Sequence, residues 1–127
     1  MTKARFENLR IYHLAEQLAD LCWQIVLNWD HFAKDTLGKQ LTRCADSIGA
    51  NIAEGCGRGS HADNKRFAHI ARGSLYELMH WLRRAYIRQL LSASDVNVLK
   101  CIMDELSPKL NVYIKSIGAM NANGSNP

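Results

Sequence analysis

Positive charge is concentrated in residues 58–91 of this 127-residue chain. The segment holds seven of the 16 lysines and arginines but only two carboxylates, Asp63 and Glu77, so it carries the basic excess behind the net charge of +4. The seven cations are Arg58, Lys65, Arg66, Arg72, Arg83, Arg84 and Arg88. Clustered cations suit contact with phosphate groups, and the interleaved rings of His69 and Tyr76 suit stacking on unpaired bases. The segment therefore predicts a nucleic-acid site.

The spacing of the cations adds a pattern and leaves an alternative open. On a helix, Lys65, Arg72 and Arg83 fall on one side, whereas Arg66, Arg84 and Arg88 lie nearer another edge. The alternative is a solvated surface helix whose arginines pair with the two carboxylates of the segment and with acidic groups of the first helix.

A polar set lies just before this segment. Ser47, Asn51 and Glu54 are spaced so that they share a helix face, and Gly55 opens a glycine-rich stretch. Asn51 and Glu54 could form a ligand or catalytic pair. A glycine-rich loop needs its backbone donors satisfied, so we interpret Ser47, Asn51, Glu54 and Gly55 as loop-organising residues that bond to backbone N–H groups and to Arg58.

The loop itself resembles an anion site only in part. Gly57, Gly59 and Ser60 precede a predicted helix start, where free N–H groups favour a phosphate. The glycines follow a predicted helix rather than a strand, and the loop lacks the lysine of a P-loop. Neither common nucleotide-binding motif is therefore favoured.

No familiar catalytic or metal motif accompanies these residues. The four cysteines contain no Cys-x-x-Cys pair, and neither Gly-x-Ser-x-Gly nor His-Glu-x-x-His occurs. We therefore expect no metal, no cofactor and no enzymatic activity.

Two helices are predicted before the glycine-rich loop, because apolar residues recur there every three or four positions. The first runs from Phe6 to Phe32, with a polar break at residues 31–36. The second resumes at Leu37 and ends at Gly55, the residue type best suited to a left-handed position after a helix.

Two further helices are predicted after the loop. Ser60 and Asp63 resemble a capping box that opens the third, and a turn at residues 91–95 supplies an N-cap for the fourth. Pro108 should kink the fourth helix or restart it. Short connections make consecutive helices antiparallel, so the predicted fold is all-α, an antiparallel up-down-up-down four-helix bundle over residues 1–117, with a disordered tail at 118–127.

Length and composition are those of one globular domain, with 47% hydrophobic and 22% charged residues. No signal peptide is visible, and no apolar run approaches the ~20 residues that span a bilayer. The four cysteines are spread singly along the sequence, and the chain is large enough to need no cross-links. Both features favour reduced thiols. We expect a cytoplasmic protein without membrane contact.

Three sequence segments carry a resemblance to a known family. They read QLTR from Gln40, SIGANIAEG from Ser47 with Gly57-Arg58 following, and IARGSLYEL from Ile70. Over about residues 6–117 the chain resembles the four-helix-bundle family associated with intervening sequences of large-subunit ribosomal RNA genes, which includes the accessory variability determinant protein of diversity-generating retroelements. The chain departs from the family at Cys56, where an aromatic residue is common.

The resemblance implies several functional properties. It implies an antiparallel four-helix bundle, a ring-shaped homopentamer and no established enzymatic activity. It also implies a basic surface that binds RNA or DNA and a reverse-transcriptase-like protein partner. The leading hypothesis is therefore a non-enzymatic, oligomeric nucleic-acid-binding accessory protein, and the alternative is a protein-directed scaffold or adaptor without specific nucleic-acid binding.

Overall fold

Four long helices make up the structure, a computed structural model that describes residues 6–119. Helix α1 spans Arg10–Leu27, α2 spans Lys39–Cys56, α3 spans His61–Ile87 and α4 spans Ala93–Ser116. A short 3-10 turn, Phe6–Asn8, precedes α1. No strand occurs within the described residues. The predicted all-α four-helix bundle is confirmed.

Contacts between α1 and α2 follow opposite directions along the two helices. Gly38, just before α2, faces Val26 near the end of α1, whereas Gly49, farther along α2, faces Tyr12 near the start of α1. A Cβ on Gly49 would lie 3.4 Å from the Tyr12 ring, so the absence of a side chain lets these helices approach closely. This order of contacts is the one that antiparallel neighbours produce.

Helix α3 lies against α2 in the same manner. Ser47 Oγ and Ser74 Oγ are 2.9 Å apart, and farther along α2, Gly55 meets Asn64 near the start of α3. The residue number therefore rises along α2 as it falls along α3. The short loop of residues 57–60 between the two helices requires this reversal.

Helix α4 closes the bundle by contacting both α1 and α3. Arg10 at the start of α1 donates two hydrogen bonds to the Glu105 carboxylate, each 2.8 Å long. Asn64 of α3 donates to the Tyr113 hydroxyl over 3.3 Å. Each helix thus has two neighbours and one face turned inward.

The core is formed by one apolar stripe from each helix. The largest fully buried side chains are Leu14, Leu18, Cys22, Leu41, Ile48, Ile52, Leu75, Leu78, Leu99, Leu106 and Leu110. Removing such a side chain from water contributes roughly 1.5–3 kcal/mol each, which makes this stripe the main source of stability.

The connection between α1 and α2 differs from the prediction. Asp30 begins a new helix, because its carboxylate accepts a hydrogen bond from the Ala33 N–H over 2.9 Å. A short α-helix, His31–Ala33, and a π-helical turn, Lys34–Gly38, then continue into α2. The break predicted at 31–36 was therefore wrong, since those polar residues lie on the outer side of a helix and the true break is at residues 28–30.

The end of α2 also differs from the prediction. Gly55 is buried inside the helix, which continues to Cys56, and the positive φ of 84° belongs to Gly59. Gly55 is required for a different reason, because a Cβ there would lie 2.7 Å from Asn64 Oδ1 and 3.0 Å from Phe67 Cβ. The predicted left-handed cap at Gly55 was therefore wrong.

The N-cap predicted for α4 is confirmed, whereas at α3 only the Ser60 half of the predicted capping box forms. Ser60 Oγ accepts a hydrogen bond from the Asp63 N–H over 3.1 Å. Ser92 and Asp95 form a complete capping box, with bonds in both directions. Helix α4 runs without interruption through Pro108, so it is not restarted there.

Most of the predicted disordered tail, residues 120–127, lies outside the described residues, and its disorder stays a prediction. Gly118 has a positive φ of 76° and approaches the His61 side chain. Among residues 6–119, no helix is both long and apolar enough to cross a bilayer.

Candidate nucleic-acid interface

Helix α3 turns a cationic face to solvent because its opposite face is committed to the core. Its buried residues are Ala68, Ala71, Leu75, Leu78, Leu82 and Ala85, spaced by threes and fours. The six predicted cations that follow Arg58 occupy other positions, outside this buried stripe. All six therefore lie outside the core, and Arg72 among them contacts α4.

The cations near the start of α3 are partly neutralised. Arg58 lies 3.3 Å from the Glu54 carboxylate and 3.8 Å from that of Asp63, and Arg66 lies 3.8 Å from Asp63. Both guanidinium groups also sit over the Phe67 ring, at 5.4 and 4.6 Å from its centre. Such exposed pairs contribute only ~0–1 kcal/mol each, but they reduce the field that an anion would meet.

Arg72 connects two helices rather than standing free. Its guanidinium donates to Asn111 Oδ1 of α4 over 3.0 Å and lies 3.0 Å from His69 Nδ1 on its own helix. The side chain is half-buried. Arg72 therefore holds α4 against α3. Only part of its guanidinium group is exposed to solvent and open to an anion.

Four predicted cations have no carboxylate partner among the described residues. We call them the free cations: Lys65, Arg83, Arg84 and Arg88. Glu77, the acidic residue nearest in sequence to the last three, instead accepts a hydrogen bond from Trp81 Nε1 over 3.0 Å. Positive charge is thus least compensated in the C-terminal third of α3, and the alternative in which Glu77 pairs with these arginines does not describe the structure.

Exposed aromatic rings accompany the free cations. Tyr76 and Tyr86 are 51% and 61% exposed on α3. Tyr76 was predicted from the sequence and Tyr86 was missed, although Tyr86 follows Arg83 by three residues and therefore lies on a neighbouring part of the same surface. Both rings are available for stacking.

Of the predicted loop-organising residues, only one contacts the loop by a hydrogen bond. Glu54 pairs with Arg58 as expected. Asn51 Nδ2 instead donates to the Ser47 carbonyl and hydroxyl oxygens, 2.8 and 2.9 Å away, and Ser47 bonds to Ser74 of α3. Ser47 therefore joins α2 to α3, Asn51 supports Ser47 within α2, and Gly55 acts through close helix approach.

A half-buried polar cluster closes the same end of the bundle. The Tyr113 hydroxyl lies 3.5 Å from Cys56 Sγ and is bonded to Asn64. Burial raises the pKa of Tyr113 to about 12. Cys56 thus contributes a small side chain to this cluster.

Acidic residues gather on the other side of the molecule. Glu16, Asp20 and Asp46 line one shallow cleft between α1 and α2. Burial and the nearby Asp20 carboxylate raise the pKa of Asp46 above its usual value. The molecule therefore has an acidic α1–α2 side and a basic α3 side.

The histidines and acidic residues do not converge on a metal site. Glu77 and His80 share the i, i+3 spacing that some bundles use for iron, but no group of three potential ligands occurs within residues 6–119. The described residues offer a charged, ring-bearing helix surface, whose chemistry suits anion contact.

Comparison with known proteins supports the resemblance drawn from the sequence. A family model described as 23S rRNA-intervening sequence protein matches residues 7–112. This range includes all of α1, α2 and α3 and most of α4. The chain belongs to this family. Comparison with curated proteins finds none that matches.

Proposed function

We propose that this chain is a non-enzymatic accessory protein that binds nucleic acid through the basic surface of α3. The observation that carries the proposal is the presence of four free cations, three on α3 and Arg88 directly after it, with Tyr76 and Tyr86 exposed beside them. The family's association with an intervening sequence of 23S rRNA supports RNA as one ligand class. DNA has the same phosphate chemistry and is included in the proposal.

The contribution of each cation to binding follows from its surroundings. Lys65, Arg83, Arg84 and Arg88 can release condensed counterions from phosphates without first separating from a carboxylate partner. Arg58 and Arg66 contribute less, because Asp63 and Glu54 already offset part of their charge. Arg72 contributes mainly by holding α4 in place.

A homopentameric ring is the assembly we propose, as the resemblance implies. An acidic α1–α2 cleft and a basic α3 helix on the same chain support a head-to-tail contact between copies, which closes into a ring when the rotation permits. Those free cations that the contact leaves exposed would be repeated around such a ring and would multiply the field that attracts a polyanion.

A protein partner is the second part of the proposal. Trp23, Leu27 and Ile87 are 53%, 50% and 49% exposed, and large exposed apolar side chains favour protein contacts. These side chains would serve a reverse-transcriptase-like partner, and they equally favour the alternative, a scaffold that binds only protein. We place the protein in the cytoplasm, an assignment that four cysteines without disulfides support.

The test is a pair of charge-reversal variants with the same change in net charge. Lys65→Glu/Arg83→Glu removes two free cations from α3, and Arg43→Glu/Lys100→Glu removes two exposed cations from α2 and α4. Fluorescence anisotropy measures the affinity for labelled RNA and DNA across a salt series, and circular dichroism checks helix content. The control includes Lys100, whose exposed pair with Asp104 is worth little.

We expect the α3 variant to bind much more weakly than the unaltered chain. Its plot of log affinity against log salt should become shallower by about 0.9 for each phosphate of duplex DNA that it no longer neutralises. The control should bind as the unaltered chain does. If both variants bound nucleic acid equally weakly, the loss of affinity would depend on net charge alone, which would contradict the proposal. Nuclease-resistant capture of a protein, with nucleic-acid binding no stronger than in the control, would establish the scaffold instead.

A further inference from the structure

A pocket lies where the π-helical turn meets the end of α3. Its volume is about 620 Å³, within the roughly 300–1,000 Å³ of ordinary ligand pockets. We call it the elbow pocket. Its lining residues are Asp30, Phe32, Ala33, Thr36, Leu37, Gln40, Trp81, Arg88 and Leu90.

Two aromatic rings, those of Phe32 and Trp81, line the elbow pocket. Phe32 is 76% exposed, which is unusual for a ring that lines a pocket with an apolar floor. Trp81 is half-buried, and its Nε1 donates to Glu77 over 3.0 Å, which fixes the orientation of its indole. A flat ligand with a π-face can stack on such a pair of rings. Stacking of this kind depends little on which base is bound.

Some polar side chains of the pocket are bonded to the local backbone, and others are open to a ligand. The Asp30 carboxylate accepts from the Ala33 N–H, and the Thr36 hydroxyl donates to the Phe32 carbonyl over 2.7 Å, so both serve the local backbone. The Gln40 amide has no hydrogen bond within residues 6–119 and can both donate and accept. Arg88 is a free cation at the rim.

We propose that the elbow pocket binds an unpaired base of a single-stranded nucleic acid, with the base between Phe32 and Trp81 and its phosphate on Arg88. The proposal rests on the nucleic-acid function proposed above and adds a preference for bases outside a duplex. A base stacked inside a duplex cannot enter a pocket without being unpaired and extruded. The Gln40 amide faces the same cavity and supplies hydrogen bonds for a base edge.

The experiment compares Phe32→Ala with Phe32→Tyr, which keeps the ring. Val112→Ala is the matched control, because Val112 is an exposed apolar residue of α4 that does not line the pocket. The probes are a labelled oligothymidylate, an abasic oligonucleotide of the same length and a duplex of the same length. Anisotropy gives the affinity for each probe, and circular dichroism checks the fold.

We expect the unaltered chain, Phe32→Tyr and Val112→Ala to prefer oligothymidylate over the abasic chain. Without the ring that stacks on the base, Phe32→Ala should show a preference about tenfold lower, while its binding of the abasic chain and the duplex stays the same.

Equal affinity of the unaltered chain for oligothymidylate and the abasic chain would overturn the base pocket, and so would an unchanged preference in Phe32→Ala. In either case, salt-dependent binding that is abolished in the Lys65→Glu/Arg83→Glu variant would leave the nucleic-acid function standing. Binding of none of the three probes would overturn both.

Discussion

Two glycines of the bundle have opposite surroundings although both lie inside helices. Gly55 of α2 is buried against α3, and Gly73 of α3 has no atom within 4 Å of the position a Cβ would occupy. The first glycine is needed for close approach of two helices. The second only weakens its helix, because glycine costs roughly 0.5–1 kcal/mol relative to alanine there.

We therefore predict opposite effects of the same substitution. Gly55→Ala should destabilise the fold by about 1–3 kcal/mol, since the added Cβ would meet Asn64 Oδ1 at 2.7 Å. Gly73→Ala should stabilise it by about 0.5–1 kcal/mol. Thermal and urea unfolding followed by circular dichroism measure both. A Gly55→Ala protein as stable as the unaltered chain would contradict the role assigned to Gly55.

At the same scale, the cations could be located from the sequence but their partners could not. The count of charges in residues 58–91 was sufficient to predict a basic surface. Whether Arg58, Arg72 or Arg83 was free depended on which residues of α2 and α4 came near, and this is set by tertiary packing. Ser47 and Asn51 were assigned to the loop for the same reason, since their spacing gave a shared face but not its neighbour.

Among the elements, helix α4 is the clearest case of a start fixed by local sequence. Ser92 accepts from the Asp95 N–H over 3.0 Å, and the Asp95 carboxylate accepts from the Ser92 N–H over 3.3 Å. Two N–H groups that a helix start leaves without partners are thereby satisfied.

Ser92→Ala should lower the free energy of unfolding by about 0.5–2 kcal/mol. Ser94→Ala is the control, because Ser94 lies in the same turn and has no hydrogen bond from its side chain within the described part of the chain. Urea unfolding of the two variants gives the comparison. Equal stability of both would show that the cap does not limit the start of α4.

Helix identity was predictable from apolar spacing, whereas two boundaries were not. The polar residues at 31–36 concealed a helical segment, and the capping residue Asp30 was the signal that could have found it. At the other boundary, a glycine suggested a helix end where tertiary contact with α3 required a glycine inside the helix. Local propensity alone cannot distinguish these two uses of glycine.

In the whole molecule, charge is separated between two sides. Glu16, Asp20 and Asp46 line the α1–α2 cleft, and the free cations lie on α3. A chain with such complementary sides can bind a second copy of itself head to tail.

Light scattering at low salt should give five times the chain mass of 14.3 kDa. Asp20→Lys should shift the mass toward that of the single chain, because it reverses a charge in the acidic cleft. Asp104→Lys, which alters an exposed carboxylate of α4, should leave the mass unchanged. A single-chain mass for the unaltered protein would contradict the ring, and equal effects of both variants would contradict the proposed contact.

The π-helical turn before α2 affects which residues on either side of it face the core. Ala33, Leu37 and Leu41 are all buried although they are spaced by four, a step that carries successive side chains about 40° round an ordinary α-helix. The wider turn takes up this difference, as a single inserted residue would. Deleting Thr36 would therefore convert this segment into an ordinary α-helix, so one surplus residue forms the wider turn that lines the elbow pocket.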